Sequence, residues 1–380
     1  MEYVKLGDIC TKVCSGGTPT SSNPAYYDGN IPWLNTNEVN FCNIYSTNKT
    51  ISEEGLKKSA AKYVPENTVI VAKYGVTAGK CAIAKIPLTT NQACCNLIID
   101  KEKADYCYVY YYLRQQSDSL NKLAIGGAQQ NLNALTIKKF KIALPTLPIQ
   151  KKIASILSTY DRLIENNTRR IRLLEQMAEN LYKEWFVRFR FPEHEKVEMV
   201  NGLPKGWKIK RYEEELNIRY GKGLSTEQLK EEGYPVFGSN GQIGFYDSYM
   251  YDNPQILISC RGASSGIVNI SLPKSFITSN SLICERTEKT ESLYEYLKYY
   301  FLNNNLVQYQ TGSAQPQITI NNIVKLKLLV PELKVQRSFS EKIRVIDMEI
   351  YNLQSQIQLL TRQRDLLLPR LMSGKLEVKS

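Results

Sequence analysis

Residues 149–189 read IQKKIASILSTYDRLIENNTRRIRLLEQMAENLYKEWFVRF. Steps of four and three from Ile153 meet Leu157, Tyr160, Ile164, Asn167, Ile171, Leu174, Ala178, Leu181 and Trp185, and only Asn167 is neither apolar nor aromatic. That spacing gathers the positions onto one seam of a helix, the pattern of a coiled-coil face. At 1.5 Å per residue such a helix is roughly 60 Å long, more than the inside of a compact domain accommodates. The same walk displaced by 186 residues meets Phe339, Ile343, Ile346, Ile350, Leu353, Ile357, Leu360, Arg364 and Leu367. Two long seams in one chain can bury each other.

The displacement carries more than a period. Gly126, Ala128 and Gln129 fall on Gly312, Ala314 and Gln315, and Ile137, Lys139, Lys141, Pro145, Leu147 and Gln150 fall on Ile323, Lys325, Lys327, Pro331, Leu333 and Gln336. Asp161, Asn166 and Leu173 fall on Asp347, Asn352 and Leu359, with no gap. The chain is a duplicated unit of nearly 190 residues, far longer than a solenoid repeat.

A length of 380 residues predicts two or three domains, and 43% hydrophobic with 23% charged residues is ordinary for folded protein. No run of apolar residues is long enough for a membrane span, and MEYVKLGDIC lacks an apolar signal core, so the expected compartment is the cytoplasm. The nine cysteines (10, 14, 42, 81, 94, 95, 107, 260 and 284) form no Cys-x-x-Cys pair and His194 is the only histidine, which argues against zinc and for reduced, buried thiols. A net charge of +12 and a pI near 9.1 suit a polyanionic partner.

Residues 1–147 read as a globular segment. Thr68 to Ala72 and Cys81 to Ile86 flank a Gly-rich turn, which predicts a hairpin; Asn91 to Ile99 predicts a strand, Asp105 to Leu123 an aromatic-rich helix, and Phe140 to Leu144 a strand leading into a helix that begins near Pro148. The helix ends near Phe191-Pro192, and residues 192–206 form a connector. The second globular segment repeats the first loosely. Cys260 to Gly266 stands where Lys73 to Gly79 stood, Thr278-Ser279-Asn280 matches Thr89-Thr90-Asn91, and Gly223 matches Gly17 at a shifted offset.

Catalytic motifs are lacking. Gly75-Val76-Thr77-Ala78-Gly79-Lys80-Cys81 is one residue short of a phosphate-binding loop and ends in Cys where Ser or Thr would hold magnesium, so a hairpin turn explains it better. Asn23-Pro24-Ala25-Tyr26 lacks the second proline of an amino-methyltransferase motif, and no Gly-rich S-adenosylmethionine loop follows a strand. Glu377-x-Lys379 has no partner for a nuclease triad, and the chain reads as non-enzymatic.

The chain resembles a type I restriction-modification specificity subunit over essentially its whole length. The resemblance is carried by Leu144-Pro145-x-Leu147-x-x-Gln150-x-x-Ile153, Leu157-x-x-x-Asp161-x-x-Ile164, Leu173-Leu174 with Leu181 and Trp185-Phe186, Gly202-Leu203-Pro204-x-Gly206-Trp207, Gly16-Gly17-Thr18-Pro19 and Pro32-Trp33. The second half departs from it, with Gly223-Leu224-Ser225 for Gly-Thr-Pro and Pro235-Val236 for Pro-Trp. The resemblance implies an α+β fold. Two pseudo-repeated target-recognition domains with mixed or antiparallel sheet would be separated by an antiparallel coiled coil of two long helices. The expected segments are a first recognition domain at 1–147, a central helix at 148–191, a connector and second recognition domain at 192–333, and a C-terminal helix at 334–380. Each domain would read half of a bipartite double-stranded DNA site. Two methyltransferase subunits would supply S-adenosylmethionine and methylate adenine N6, restriction subunits being optional members, and this chain would hold no cofactor or metal.

Polar groups in loops beside strands are the candidate DNA contacts, because basic groups neutralise phosphates while Asn, Gln, Ser, Thr and Arg read base edges. In the first half these are Lys12, Ser15, Thr18, Asn35, Thr36, Lys73, Tyr74, Lys80, Asn91 and Gln129. In the second they are Arg219, Lys222, Ser239, Asn240, Arg261, Ser264, Asn280 and Gln315. The competing reading of each is a turn or solvated residue. A different class of function, a coiled-coil adaptor with protein-binding globular ends, rests on the seam alone; the basic charge favours DNA.

Overall fold

The computed structural model describes residues 2–124, 132–312 and 315–378. The chain divides into two compact units, unit 1 of residues 1–167 and 355–380 and unit 2 of residues 168–354. Both cuts fall inside the long helices, so each unit contains half of each.

Unit 1 begins with β1 (Glu2–Lys5) and β2 (Cys10–Ser15), followed by β3 (Tyr27–Leu34), β4 (Cys42–Ile44), β5 (Lys49–Ile51), β6 (Tyr63–Val64), β7 (Val69–Ala72), β8 (Cys81–Ala84), β9 (Leu88–Thr90) and β10 (Cys94–Ile99). Helix α1 (Tyr106–Gln115), β11 (Lys141–Leu144) and α2 (Leu147–Tyr182) follow. A five-stranded sheet has the order β2-β10-β7-β8-β4, a four-stranded one β5-β3-β9-β6, and β1 pairs with β11. β7 and β8 form the predicted antiparallel hairpin, every residue of both strands buried. The aromatic helix expected to reach Leu123 breaks at Gln116 and resumes at Ser117–Lys122.

Unit 2 repeats the plan with β12 (Lys208–Arg211), β13 (Leu216–Tyr220), β14 (Tyr234–Gly238), β15 (Gly241–Tyr246), β16 (Ile256–Ser259), β17 (Val268–Ile270), β18 (Phe276–Ile277), β19 (Ser281–Arg286), α3 (Tyr294–Asn303), β20 (Lys327–Val330) and α4 (Leu333–Met372). Its sheets are β13-β19-β16-β17 and β15-β14-β18, and β12 pairs with β20 as β1 does with β11. The β3–β9 pair and its counterpart β14–β18 are both parallel, so the fold is α+β with mixed sheets.

The helix halves pack into the cores of their own units. Ile153, Ala154, Leu157, Leu368 and Leu371 join Leu6, Tyr108, Leu113 and Ile142 in unit 1. Ala178, Trp185, Phe186, Phe339 and Ile343 join Tyr212, Tyr296 and Phe301 in unit 2. α2 continues as a π-helical stretch, Lys183–Val187, and Phe189 then takes a positive φ of 57°. The helix therefore stops short of the predicted Phe191-Pro192.

The helix halves run antiparallel within each unit. In unit 1 Asn167 Nδ2 donates to Gln356 Oε1 at 3.1 Å and Arg364 donates to Asp161 at 2.6 Å; in unit 2 Arg170 donates to Glu349 at 2.6 Å. The seam is unevenly buried. Ile153, Leu157, Asn167, Trp185 and Ile343 are buried, whereas Ile164, Ile171, Leu174, Leu181, Ile350, Ile357, Leu360 and Leu367 are half-buried. Ile164 and Ile350, which the heptad pattern makes plain core, are thus corrected to partial burial. A two-helix pair covers one side of a seam residue and leaves most of these positions partly open, Leu353 at 1% exposure being an exception.

The repeated Gln of the Pro-x-Leu-x-x-Gln motif has the same work in both units. Gln150 Oε1 accepts from the Asp105 backbone N–H at 2.9 Å while its Nε2 donates to Pro145 O at 2.8 Å. Gln336 does the same with Leu293 N–H at 2.7 Å and Pro331 O at 2.8 Å. Asp161 accepts from Tyr111 OH at 2.5 Å, and Asp347 from Tyr299 OH at 3.2 Å. These residues repeat because they fasten the long helices to α1 and α3. No described helix is long and apolar enough to cross a membrane.

Candidate nucleic-acid interface

The β7–β8 turn is the centre of the loop cluster in unit 1. Gly75 adopts φ +71°, a conformation a side chain strains, and Gly79 N–H closes the turn on Ala72 O at 2.9 Å. Lys73 N–H donates to Ala93 O at 2.8 Å, and Lys73 O accepts from Leu132 N–H at 2.9 Å. Beside it Gly17 N–H donates to Thr90 O at 2.9 Å, and Asn91 N–H to Leu34 O at 2.9 Å. A methyl group on Gly16 would stand 2.1 Å from the Thr90 carbonyl, which is why that position lacks one. The ends of β2, β3 and β7 and the start of β10 thereby meet in one place.

Unit 2 builds the same cluster bond for bond. Cys260 N–H donates to Asn280 O, and Cys260 O accepts from Ile318 N–H, both at 3.0 Å; Gly266 N–H closes on Ser259 O at 2.8 Å. Lys222 N–H donates to Ile277 O at 3.0 Å, and Thr278 N–H to Phe237 O at 2.9 Å. Gly262 has φ +77°, and a methyl on Gly221 would lie 2.3 Å from Thr278 O. These bonds correct two correspondences drawn from sequence. Gly221 is the counterpart of Gly16, and Lys222, not Gly223, stands where Gly17 does. Thr278 is the counterpart of Asn91, and Asn280 that of Ala93. Short local matches slip by one or two residues; backbone hydrogen bonds do not.

On this shared framework the side chains differ. Lys73 and Tyr74 become Cys260 and Arg261, Thr77 becomes Ser264, and Asn91 becomes Thr278. In unit 1 Lys73 Nζ donates to Ser15 Oγ at 2.9 Å, Asn91 Nδ2 to Asn35 Oδ1 at 3.2 Å, and Lys80 Nζ to Asn40 Oδ1 at 2.8 Å. Tyr74 and Thr18 are exposed, and Thr36 is half-buried in the turn after β3. In unit 2 Ser239 Oγ donates to Asn280 O at 3.2 Å and Ser264 Oγ to Asn240 Oδ1 at 2.6 Å. Arg261 pairs with Gln317 in an isolated bridge. Gly262 N–H reaches Pro316 O at 3.0 Å, which brings in exposed Gln315. Gln129 lies outside the described residues.

Two candidates stand apart. Arg219 Nε donates to Glu285 Oε1 at 2.7 Å and its Nη2 to Tyr251 OH at 2.6 Å, so its charge is neutralised within the unit. Lys12 is on the exposed face of β2 near Lys5, Lys138 and Lys139, and among the described residues around them Asp8 is the one acid. Sequence reading did not single out Lys5, Lys138 and Lys139, because more than a hundred residues separate Lys138 and Lys139 from Lys5 and Lys12. The β1–β11 pairing and the packing of the short helix Ala134–Lys139 on residues 6–15 bring them together.

The desolvation of buried thiols pushes Cys94 and Cys95 up to about 12, so neither is a nucleophile at neutral pH. No group of three or more His, Cys, Asp or Glu among the described residues is arranged to hold a metal ion.

A model of the type I restriction modification DNA specificity domain matches residues 1–176 and 204–361, one match on each half of the duplication. The type I restriction enzyme MjaIX specificity subunit of Methanocaldococcus jannaschii is 28% identical over 404 residues, covering 99% of this chain and 93% of that protein. The EcoprrI specificity subunit of Escherichia coli is 25% identical over 358 residues, covering 88% and 85%. The crystal structure of a type I restriction-modification S subunit from M. genitalium shares the fold with a TM-score of 0.64 at 20% identity, covering 97% of this chain and 95% of that one. With both halves matched, the chain belongs to the type I restriction modification DNA specificity family.

Proposed function

We propose that this chain is the sequence-reading subunit of a type I restriction-modification complex, each unit reading one half of a bipartite DNA site. The observation that carries the reading is the loop cluster built twice with the same backbone hydrogen bonds and different side chains. A constant frame with exchanged polar groups is what two readers of different base sequences need. The chain itself performs no chemistry. Methyltransferase subunits bring S-adenosylmethionine and methylate adenine, and restriction subunits join where the system has them. The lysines at 5, 12, 138 and 139 serve as phosphate contacts.

The test is binding of the chain with its methyltransferase to duplex libraries. A two-part motif is expected, with affinity falling steeply between about 50 and 200 mM salt. A flat salt response, or selection of no motif, would favour a protein-binding adaptor. Purified free of other subunits, the chain is expected to transfer no methyl group to DNA. Methylation that persists after rigorous removal of the partners would show that the chemistry belongs to this chain.

A further inference from the structure

Lys73 differs from the other cations of the loop cluster. It is only 7% exposed, although it follows β7 directly into an open turn. Its Nζ donates to Ser15 Oγ at 2.9 Å and stands 5.4 Å from the centre of the Tyr74 ring. Its backbone is held on both sides, by Ala93 and Leu132. Among the described residues no carboxylate pairs with it, whereas Lys210 has Glu215, Lys298 has Asp347 and Arg364 has Asp161; Lys80 and Lys85, which bond Asn40 and Tyr106 instead, are only half-buried. An ammonium held this deep without an acid is unfavourable unless something else supplies acceptors. Among the described residues Ser15 takes one of its three N–H donors, leaving two for another partner.

We propose that Lys73 is a base-reading residue, its ammonium donating to the O6 and N7 edge of a guanine in the half-site read by unit 1. The inference rests on the DNA-reading function proposed above. A phosphate-binding lysine works from the rim, with a mobile stem, as exposed Lys12 and Lys222 can. The Lys73 stem is packed, and Ser15 and the Tyr74 face fix where the charge lies. A fixed donor discriminates between base edges, and guanine is the base that presents two acceptors to it in the major groove. The equivalent position in unit 2 is Cys260, which offers no such donor, so the effect is confined to one half of the site.

The experiment selects binding sites from a random duplex library with the whole complex, methyltransferase subunits included, for wild type, Lys73→Met and Ser15→Ala. Met keeps the apolar stem. Lys73→Met is expected to erase a guanine preference at one position of one half-site, a loss of roughly 5- to 150-fold in discrimination. The other half-site stays intact and reports that the variant is folded. Ser15→Ala is expected to weaken the same preference, which covers the case in which Lys73→Met does not fold. The proposal is overturned if Lys73→Met weakens all duplexes alike with the salt slope falling by about one, the mark of a phosphate contact. It is equally overturned if the motif is unchanged, if the base lost is not guanine, or if Ser15→Ala leaves the position untouched. A wild-type complex that selects no bipartite motif would remove the DNA-reading function itself, a separate outcome.

Discussion

Gln150 and Gln336 look like a functional signature in the sequence and are structural in the fold. Each is buried to 1% exposure or less and satisfies a backbone N–H and a backbone carbonyl together. Replacing either by Ala leaves both groups without a partner, so each variant should lose about 2–3 kcal/mol of stability. Urea unfolding measures this, and a loss of a few tenths would mean that water replaces the amide. The aspartates behave alike but unequally. Asp161 holds both Tyr111 and the 7%-exposed Arg364, while Asp347 holds Lys298 and Tyr299 nearer solvent. Asp161→Ala should therefore cost about 3 kcal/mol, and Asp347→Ala clearly less. Equal losses would show that solvent reaches both sites alike. Burial raises the thiols of Cys81, Cys94, Cys95 and Cys284. A thiol reagent at neutral pH should leave these four unlabelled until denaturant is added, and rapid labelling of the native chain would contradict their burial.

The long helices show how far a heptad pattern carries at the scale of an element. It locates the seam and its polar exceptions, and both exceptions turn out to be partnered: Asn167 with Gln356, and Arg364 with Asp161 and Asp365. It gives no depth of burial. Leu157 and Ile343 are fully covered because a sheet-and-helix core lies against them, whereas Ile164 and Ile350 are half-covered. Truncation to Ala should cost about 3–4 kcal/mol at Leu157 or Ile343 and about 1–2 kcal/mol at Ile164 or Ile350, in proportion to the area each buries. The four unfolding midpoints decide it, and indistinguishable losses would mean that the seam is uniformly buried. An Asn at such a seam fixes register at some cost in stability. Asn167→Leu should accordingly leave stability nearly unchanged while admitting shifted pairings, detectable as heterogeneous cross-links between the two helices.

For the whole molecule, the duplication makes modularity testable. Exchanging residues 1–145 for those of a relative should alter one half of the methylated motif, read by single-molecule sequencing of methylated adenines. A change in both halves would show that the two units do not read independently. Inserting one heptad into α2 and α4 together adds about 10 Å of helix, or about 3 base pairs at 3.4 Å per step. The motif should keep both halves and gain spacer between them, and an unchanged spacer would remove the helices from that role.

The sequence by itself determined the duplication, the two long helices, the hairpin at 69–84 and the absence of a recognisable catalytic motif, because periodicity, gapless repetition and glycine-rich turns are local signals. Several residues it singled out are neighbours in the fold: Lys73 bonds Ser15 and Asn91 bonds Asn35, while Ser239 bonds Asn280 and Ser264 bonds Asn240. Only the tertiary structure decided which side chains are available. Arg219 is spent on Glu285 and Tyr251, Lys73 has no acid partner among the described residues, and the lysines at 5, 12, 138 and 139 meet through the β1–β11 pairing and the helix before β11. Charge pairing and burial depend on neighbours distant in sequence, and no local pattern records them.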